Sequence, residues 1–362
     1  MPELDNTSQA PTIDEGKLDE FMGRAVGDLG AAISGLMVYL GDQLGLYKAM
    51  AGAGPLTPEQ LAAATSTAPR YVREWLDNQA AGGYLAYDAA TKTYELPPEQ
   101  ALALADEDSP AFVPGGFVGI VSAYIDCDKF VDAFRTGNGV GWHDHDARLF
   151  RGTERFFRPG YRAHLMAEWI PALDGVHEKL TKGALVADIG CGHGASTVLM
   201  GEAYPSSTFV GYDFHDASID VARKRASDAG VAARVTFELA SAKDYPTRGF
   251  DLITYFDCLH DMGDPVGAVV HARRALAPDG TVMLIEPNAG DRPEQNHNPI
   301  GRAFYGFSTV ICTMASKAQE VGLALGAQAG EGRLREIFEQ AGFGTLRRAT
   351  ETPFNLVLEA KL

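Results

Sequence analysis

The segment most informative for chemistry is the run from Val186 to Gly194, which reads VADIGCGHG. A buried strand is predicted to end at Ile189, three glycines turn the chain, and a helix begins at Ala195. Glycine is needed where the backbone bends sharply and a ligand approaches it closely. The site residues predicted from this run are Asp188, Gly190, Cys191, Gly192 and Gly194.

Two ligand classes fit this loop. Gly190, Gly192 and Ala195 also satisfy the GxGxxG/A pattern of dinucleotide sites, so a NAD(P)-dependent oxidoreductase is one interpretation. Asp188 separates the two classes, because a buried acid before the first glycine would repel a pyrophosphate. It suits a cationic ligand that bears an ammonium and a sulfonium.

The next two predicted strands contribute the other half of the ligand site. Asp213 ends the second strand, where a carboxylate can accept hydrogen bonds from both hydroxyls of a ribose. Phe214 beside it could pack on an adenine face, and Ser241 and Ala242 follow the third strand where the adenine edge would lie. Asp213 supports an adenosine ligand of either class, although an Asp here could also simply cap the following helix.

These residues need an α/β domain to position them. From Gly183 onwards short apolar strands alternate with helices, which predicts a doubly wound, mostly parallel sheet with helices on both faces. The predicted strands are 184–189, 208–212, 234–239, 251–256, 281–286, and a closing antiparallel hairpin, 343–349 and 354–360. The predicted helices are 195–203, 217–229, 264–277 and 334–341.

The N-terminal part predicts a separate helical domain. A stripe of apolar residues along Phe21–Ala51 predicts a long helix that packs on its own domain or on a second subunit. Residues 57–81 read as two helices, and residues 84–96 as a small β-hairpin wing. Because acidic residues outnumber basic ones here, we expect this winged helix to dimerise the chain rather than bind DNA. A cofactor-sensing transcriptional regulator is the remaining alternative.

The order DIGCGHG, GYDF, FDLITYFDCLHD and LAPDGTVMLIEP resembles class I S-adenosylmethionine-dependent methyltransferases. The resemblance is strong over residues 160–290, and the preceding winged helix resembles the dimerisation domain of small-molecule O-methyltransferases. The whole chain is most similar to actinobacterial methyltransferases with a winged-helix N-terminal domain. The resemblance implies a seven-stranded sheet and S-adenosylmethionine as cofactor, with S-adenosylhomocysteine as product. It also implies a small, apolar or aromatic acceptor that is methylated on oxygen, with nitrogen, sulfur and carbon left open as acceptor atoms.

The resemblance also implies roles for individual residues. Asp188, Gly190, Gly192 and Gly194 would hold the methionine part of the cofactor, and Asp213 would hold the ribose. From their position after strand four, Asp257 and Cys258 could contact the methionine end of the cofactor. His260 resembles the base of the Cys-His-Asn/Asp-Trp segment in plant-type O-methyltransferases, although Met262 stands in place of the Trp.

Two further side chains are assigned from their positions. Glu286 ends strand five, where it could orient the imidazole of His260. Tyr161 is predicted to open the helix before the glycine loop and to reach the cofactor carboxylate. His260 could instead pack structurally or cap the next helix, and Glu286 could be a solvated strand end.

Two loops carry residues of uncertain use. Residues 142–146 read WHDHD, which admits a metal site, a lid that contacts substrate, or a solvated loop; we assign no metal. An insertion over about residues 288–329 contains aromatic and apolar residues that would form a dry acceptor pocket or pack as core. They are Phe304, Tyr305, Phe307, Ile311, Cys312 and Met314.

Composition narrows the function classes. The 362 residues are 46% hydrophobic and 22% charged, and the formal net charge of −17 argues against nucleic-acid and anionic-membrane partners. Four scattered cysteines without a CxxC pair, and an acidic start without an apolar stretch, predict a cytoplasmic protein. The predicted divisions are a disordered lead-in 1–20, a dimerisation domain 21–110, connecting helices 111–180 and a catalytic domain 181–362.

Overall fold

The computed structural model describes residues 12–362, which fall into two compact units that divide between Ala105 and Asp106. This division lies close to the predicted boundary after residue 110. Residues 111–180, predicted as a separate connecting segment, belong to the second unit. Residues 1–11 of the predicted lead-in lie outside the described part of the chain.

The first unit is helical apart from one two-stranded wing. Its elements are α1 (Glu15–Gln43), α2 (Leu46–Met50), α3 (Pro58–Thr65), α4 (Pro69–Ala81), β1 (Ala86–Asp88), β2 (Thr93–Glu95) and α5 (Pro98–Leu104). The predicted capping box at Thr57 and Gln60 is present at the start of α3, and β1 pairs antiparallel with β2. The winged-helix prediction for this region is therefore confirmed.

Helix α1 begins earlier than predicted. The Asp14 side chain accepts the Lys17 backbone N–H at 3.2 Å, so the helix starts at Glu15 and the last residues assigned to the disordered lead-in are helical. Gly45, in the left-handed conformation, separates α1 from α2, which together replace the single predicted helix.

One face of α1 is an exposed apolar stripe. Only Gly35, Val38 and Gly41 of this helix are buried, whereas most of its large apolar side chains are exposed. The stripe consists of Leu18, Phe21, Met22, Val26, Leu29, Ile33, Leu36, Leu40 and Leu44. Within residues 12–362, α1 is the one helix long and apolar enough to cross a membrane, by length and composition alone.

The second unit begins with helices and continues as an α/β domain. Its helices are α6 (Pro114–Ile125), α7 (Cys127–Thr136), α8 (Arg148–His164), α9 (Val176–Lys182), α10 (Ala195–Ala203), α11 (Asp216–Asp228), α12 (Pro265–Ala275), α13 (Pro299–Phe307), α14 (Thr313–Lys317) and α15 (Gly330–Gln340). Its strands are β3 (Leu185–Ile189), β4 (Thr208–Asp213), β5 (Val235–Leu239), β6 (Phe250–Phe256), β7 (Leu276–Pro287), β8 (Thr345–Glu351) and β9 (Asn355–Lys361).

The seven strands form one sheet in the order β5-β4-β3-β6-β7-β9-β8. Strands β3 to β7 run parallel, and β9 pairs antiparallel with both β7 and β8. Apolar clusters cover both faces of this sheet, as expected for strands that are buried on both sides. The predicted fold, a doubly wound and mostly parallel sheet with an antiparallel C-terminal strand, is confirmed.

Helix α8 differs from its predicted form. Pro159 and Gly160 suggested a helix start, but α8 runs from Arg148 through both residues, so Tyr161 lies in its last turn. Close packing against α6 stabilises the longer helix: a Cβ at Gly152 would lie 2.8 Å from the Gly119 backbone nitrogen. The two backbones therefore touch, and only glycine fits at the contact.

Candidate active site

The glycine loop follows β3 at the carboxyl edge of the sheet. Gly190, Gly192 and Gly194 have φ values of 71°, 50° and 72°, which favour glycine. A Cβ at Gly194 would lie 2.6 Å from the Phe237 ring, so this glycine serves packing. At Gly192 no atom of the described chain lies within 4 Å of the Cβ position, and this backbone borders a cavity.

Asp188 lies behind the loop and is fully buried. Its carboxylate accepts hydrogen bonds from the hydroxyls of Ser196 at 2.7 Å, Thr197 at 2.6 Å and Thr254 at 3.1 Å. Burial raises the pKa of Asp188 to about 6, although the three hydroxyl groups oppose the shift. Asp188 therefore supports the loop from below and does not line the cavity.

Asp213 ends β4 and faces the cavity beside the loop. Its two carboxylate oxygens accept the backbone N–H groups of Gly192 and His215, both at 2.9 Å. Burial raises the pKa of Asp213, and these two hydrogen bonds work in the opposite direction. Each oxygen keeps a further lone pair, which can accept a hydrogen bond from a ligand hydroxyl.

Asp257 follows β6 and connects three segments. Its carboxylate accepts hydrogen bonds from the Tyr161 hydroxyl at 2.8 Å and from the Asn355 side-chain amide at 3.0 Å. Burial, followed by the negative charge of Glu286, raises the pKa of Asp257 to about 7. Its φ of 50° is an uncommon conformation for a residue other than glycine. Tyr161 thus donates its proton to Asp257 in this structure, and both side chains line the cavity.

His260 lies between two carboxylates. Its Nδ1 contacts Glu286 in a short hydrogen bond, and its Nε2 lies 3.1 Å from Asp261 Oδ1. Burial would lower the pKa of His260, but the charges of Glu286 and Asp261 outweigh this effect and raise it well above the ordinary value. At neutral pH His260 is therefore a protonated imidazolium. Asp261 lines the cavity, whereas His260 and Glu286 lie behind it.

Residues at the carboxyl ends of these strands surround a cavity of about 410 Å³. Its walls combine carboxylates with aromatic rings, and Cys191, Phe214, Ser241, Ala242 and Cys258 line it as predicted. Four predicted residues do not line it: Asp188, Gly194, His260 and Glu286.

Residues 180–342 match a family model described as "Methyltransferase domain", and residues 31–106 match one described as "Rv2258c-like winged HTH domain". Residues 180–342 form a methyltransferase domain.

Curated relatives of this methyltransferase domain match over part of their length. The chain is 30% identical over 145 residues to 27-O-demethylrifamycin SV methyltransferase of Amycolatopsis mediterranei (strain S699), a match that covers 40% of this chain and 48% of that protein. It is 34% identical over 109 residues to trans-aconitate 2-methyltransferase of Acidovorax sp. (strain JS42), which covers 30% of this chain and 40% of that protein. The chain thus spans about half or less of the length of these relatives.

Solved structures resemble this chain over nearly its whole length. The mitomycin 7-O-methyltransferase MmcR has a TM-score of 0.69 at 18% identity, with 96% of this chain and 100% of that chain covered. Human N-acetylserotonin methyltransferase, solved in complex with SAM, has a TM-score of 0.68 at 15% identity, with 98% and 99% covered. At these identities the similarity shows a common fold.

Sequence reasoning missed several residues of the cavity wall in and before the methyltransferase domain. Phe150, Phe157 and Tyr161 lie on one face of α8, and only Tyr161 was predicted. Their spacing of seven and four residues is helical and could have identified the other two. Others, such as Lys243 and Gln319, belong to loops without a recognisable pattern, and Asp261 ends the FDLITYFDCLHD motif in a short 3-10 turn.

The insertion does not form the predicted aromatic wall. Ile311 and Cys312 are buried with Leu149 and Ala327, and Phe304 and Phe307 pack against this cluster. The residues of the insertion that line the cavity are instead Ala315, Gln319 and Glu320. For these aromatic side chains the core-packing alternative is therefore the better description.

The two histidines of the WHDHD segment point to different neighbours. The His143 ring lies 4.8 Å from the His215 ring, whereas His145 Nδ1 lies 3.3 Å from Asp126 Oδ2. Trp142 lines the cavity, which favours the contact role over the solvated loop. In residues 12–362 the group with metal-ligand geometry comprises His260, Asp261 and Cys312, away from this segment.

Proposed function

We propose that this protein transfers a methyl group from S-adenosylmethionine to a small, apolar or aromatic acceptor, most readily on oxygen. The observation that carries the proposal is the cavity in which the open glycine loop, Asp213 and Asp257 face one another. The methyltransferase-domain match supports the reaction class. The neighbours named as O-methyltransferases support oxygen as the acceptor atom.

The residues present fit this cofactor. A Cβ at Gly192 would project into open space at the cavity, so the backbone there is free to approach a ligand. Asp213 would accept the ribose hydroxyls, while Ser241 and Ala242 would contact the adenine edge and Phe214 its face. Asp257 and Cys258 would lie at the methionine end. S-adenosylmethionine, when bound, supplies a methyl carbon already activated by a sulfonium.

The charges of the wall suit a cationic ligand better than a pyrophosphate. Asp213, Asp257 and Asp261 all face the cavity, and Asp188 lies directly behind the loop. Such carboxylates stabilise a sulfonium and an ammonium in a site of low dielectric constant. They would repel the two phosphates of a nicotinamide dinucleotide.

For the acceptor, the chain must orient a nucleophile, exclude water and take up a proton. His260 was predicted as the base and Glu286 as the residue that orients it. Because the imidazolium already carries both protons and lies behind Asp261, we assign the contact with the acceptor hydroxyl to Asp261. His260 and Glu286 then act as positioning residues that hold the Asp261 carboxylate. Phe256 provides apolar wall for the acceptor.

A thermal-shift series tests the cofactor assignment. S-adenosylmethionine, S-adenosylhomocysteine, NAD⁺ and NADP⁺ are each added to the full chain. A ligand that binds only the native state at a hundredfold excess over its Kd stabilises it by about 2.7 kcal/mol. We expect a shift with the two sulfur ligands alone. A shift with the nicotinamides alone would replace the methyltransferase proposal with the oxidoreductase alternative.

We further propose that the protein forms a homodimer through its N-terminal unit and that it is cytoplasmic. The exposed stripe of α1 recurs at spacings of three and four residues, which is the pattern of a helix that pairs with another helix. The surface that best matches this apolar stripe is helix α1 of a second copy of the chain. All four cysteines are free in the structure, as a reducing compartment requires.

Two variants of α1 test the dimer. Replacing Leu29 and Ile33 with Glu puts charge into the stripe, whereas Ala31→Glu puts it on the opposite exposed face. We expect the first variant to be monomeric and the second to remain dimeric by light scattering coupled to size-exclusion chromatography. A monomeric parent protein that binds phospholipid vesicles through α1 would contradict the proposal.

A further inference from the structure

A buried polar cluster lies at the junction of α6 and α7, outside the methyltransferase domain and outside the cavity wall. Asp126 sits between the two helices, and its side chain is 2% exposed. Lys129 Nζ donates to its Oδ1 at 2.7 Å, and the Asp146 backbone N–H donates to its Oδ2 at 2.8 Å. A buried carboxylate with this many donors stays ionised, and the pKa of Asp126 is lowered because the ammonium and the backbone N–H outweigh burial.

This cluster binds three consecutive residues of the loop between α7 and α8. Lys129 donates to the Asp144 carbonyl, His145 Nδ1 lies 3.3 Å from Asp126 Oδ2, and the Ser122 hydroxyl donates to the Asp146 carbonyl at 3.3 Å. The loop has little regular structure apart from one 3-10 turn, Trp142–Asp144. Its position therefore depends on side chains of α6 and α7.

His145 contacts Asp126 through one ring nitrogen, Nδ1. Burial lowers the pKa of His145, so the neutral ring donates Nδ1–H to the ionised Asp126. Its Nε2 is buried and has no hydrogen-bond partner among residues 12–362. The hydrogen bond from His145 Nδ1 to Asp126 is consequently the contact through which His145 holds the loop.

The anchored loop reaches the nucleoside side of the cavity. The Trp142 ring lies 5.3 Å from the Phe150 ring, and both side chains line the cavity. The His143 ring lies 4.9 Å from the ring of Phe214, which follows Asp213 directly in the sequence. The loop thus closes the wall beside the carboxylate proposed to bind ribose.

We propose that Asp126 is a positioning residue for the cofactor's nucleoside: it fixes residues 144–146 so that Trp142 completes the cavity wall and His143 packs on Phe214, next to Asp213. This inference rests on the proposed S-adenosylmethionine site. It adds a determinant of nucleoside binding that comes from α6 and α7, more than fifty residues before the glycine loop in sequence.

Binding of two ligands to the full chain tests this role. S-adenosylhomocysteine and adenosine are titrated calorimetrically into the parent protein, Asp126→Asn and the control Asp132→Asn, which changes an exposed residue of α7. We expect Asp126→Asn to weaken both ligands by a similar factor, about tenfold, because a misplaced wall affects the part that they share. Asp132→Asn should bind both ligands like the parent protein.

Additional variants separate positioning from general damage. Trp142→Ala should weaken binding as much as Asp126→Asn, and the double variant should lose little more than either, because the two residues act through one wall. His145→Asn, which keeps a donor near the Nδ1 position, should retain affinity, whereas His145→Ala should not. Thermal unfolding checks that each variant is folded.

The outcomes distinguish this inference from the proposed function. If the parent protein does not bind S-adenosylhomocysteine, the proposed function fails. If the parent binds but Asp126→Asn binds equally well, the positioning role alone is wrong. A loss for S-adenosylhomocysteine without a loss for adenosine, or additive losses in the double variant, would also overturn it.

Discussion

The two ends of the cavity are built in different ways. At the cofactor end, backbone groups hold the key residues: Asp213 is fixed by the N–H groups of Gly192 and His215. At the acceptor end, side chains from separate segments hold one another, as in the contact between His260 and Glu286 across 26 residues of sequence. The first end is thus held by backbone N–H groups of the loops that follow β3 and β4, whereas the second depends on contacts between side chains.

The largest effect is expected at the acceptor end, for Glu286→Gln. This change leaves a buried imidazolium without its main partner, so the free energy of unfolding should fall by about 3–5 kcal/mol. Because the pKa of His260 is raised in the folded state, the lost stabilisation is fully present below the unfolded pKa and disappears as pH rises through the folded pKa. Urea unfolding of the variant and of the parent protein at a series of pH values measures this change in the free energy of unfolding.

Glu336→Gln, an exposed change on α15, is the control for that series and should have little effect. A difference between Glu286→Gln and the parent protein that does not shrink as pH rises above the ordinary pKa of histidine would contradict the assignment of His260 as an imidazolium.

At the cofactor end, Asp213→Asn should weaken S-adenosylhomocysteine binding about a hundredfold, because the ribose hydroxyls lose a buried ionised acceptor. Asp216→Asn, on the exposed first turn of α11, should bind like the parent protein. Calorimetric titration gives both constants. An affinity of Asp213→Asn within a few-fold of the parent would mean that the carboxylate only stabilises the glycine loop.

Asp257 lies where the two ends meet, and its replacement should stabilise the protein. Its pKa of about 7 means that stability falls as pH rises from the ordinary pKa of an aspartate through 7, because a buried charge forms. Asp257→Asn removes that charge and should raise the free energy of unfolding by about 2 kcal/mol at alkaline pH. The gain should vanish in acid, and a gain that persists there would show that hydrogen bonding, and not ionisation, is responsible.

The smallest effect on the cofactor is expected from the insertion. Phe307 packs outside the cavity, so Phe307→Ala should change the affinity for S-adenosylhomocysteine by no more than about twofold. Phe150→Ala, which removes a ring of the cavity wall, should weaken it about tenfold. Equal losses in the two variants would mean that the packing of the insertion controls the cavity wall as strongly as a ring in that wall does.

The same contrast explains what the sequence could predict. The strands, the glycine loop and Asp213 were predictable because periodicity and glycine positions are local signals. The charge state of His260 was not, because it depends on how closely Glu286 and Asp261 approach in the fold. The path of α8 through Pro159 was missed because contact with α6 overrides a local helix-breaking signal. The aromatic residues of the insertion carried no signal that distinguishes a pocket wall from a core.

The position of β9 links the site to the order in which the chain is synthesised. Strand β9 lies between β7 and β8, and its first residue, Asn355, holds Asp257, which is translated 98 residues earlier. Strand β8 therefore has no neighbour in the described sheet until β9 has left the ribosome. A nascent chain can fold its glycine loop and β3–β7 while Asp257 has Tyr161 but not yet Asn355 as a partner, so the hydrogen bonds of Asp257 are completed only after β9 has left the ribosome.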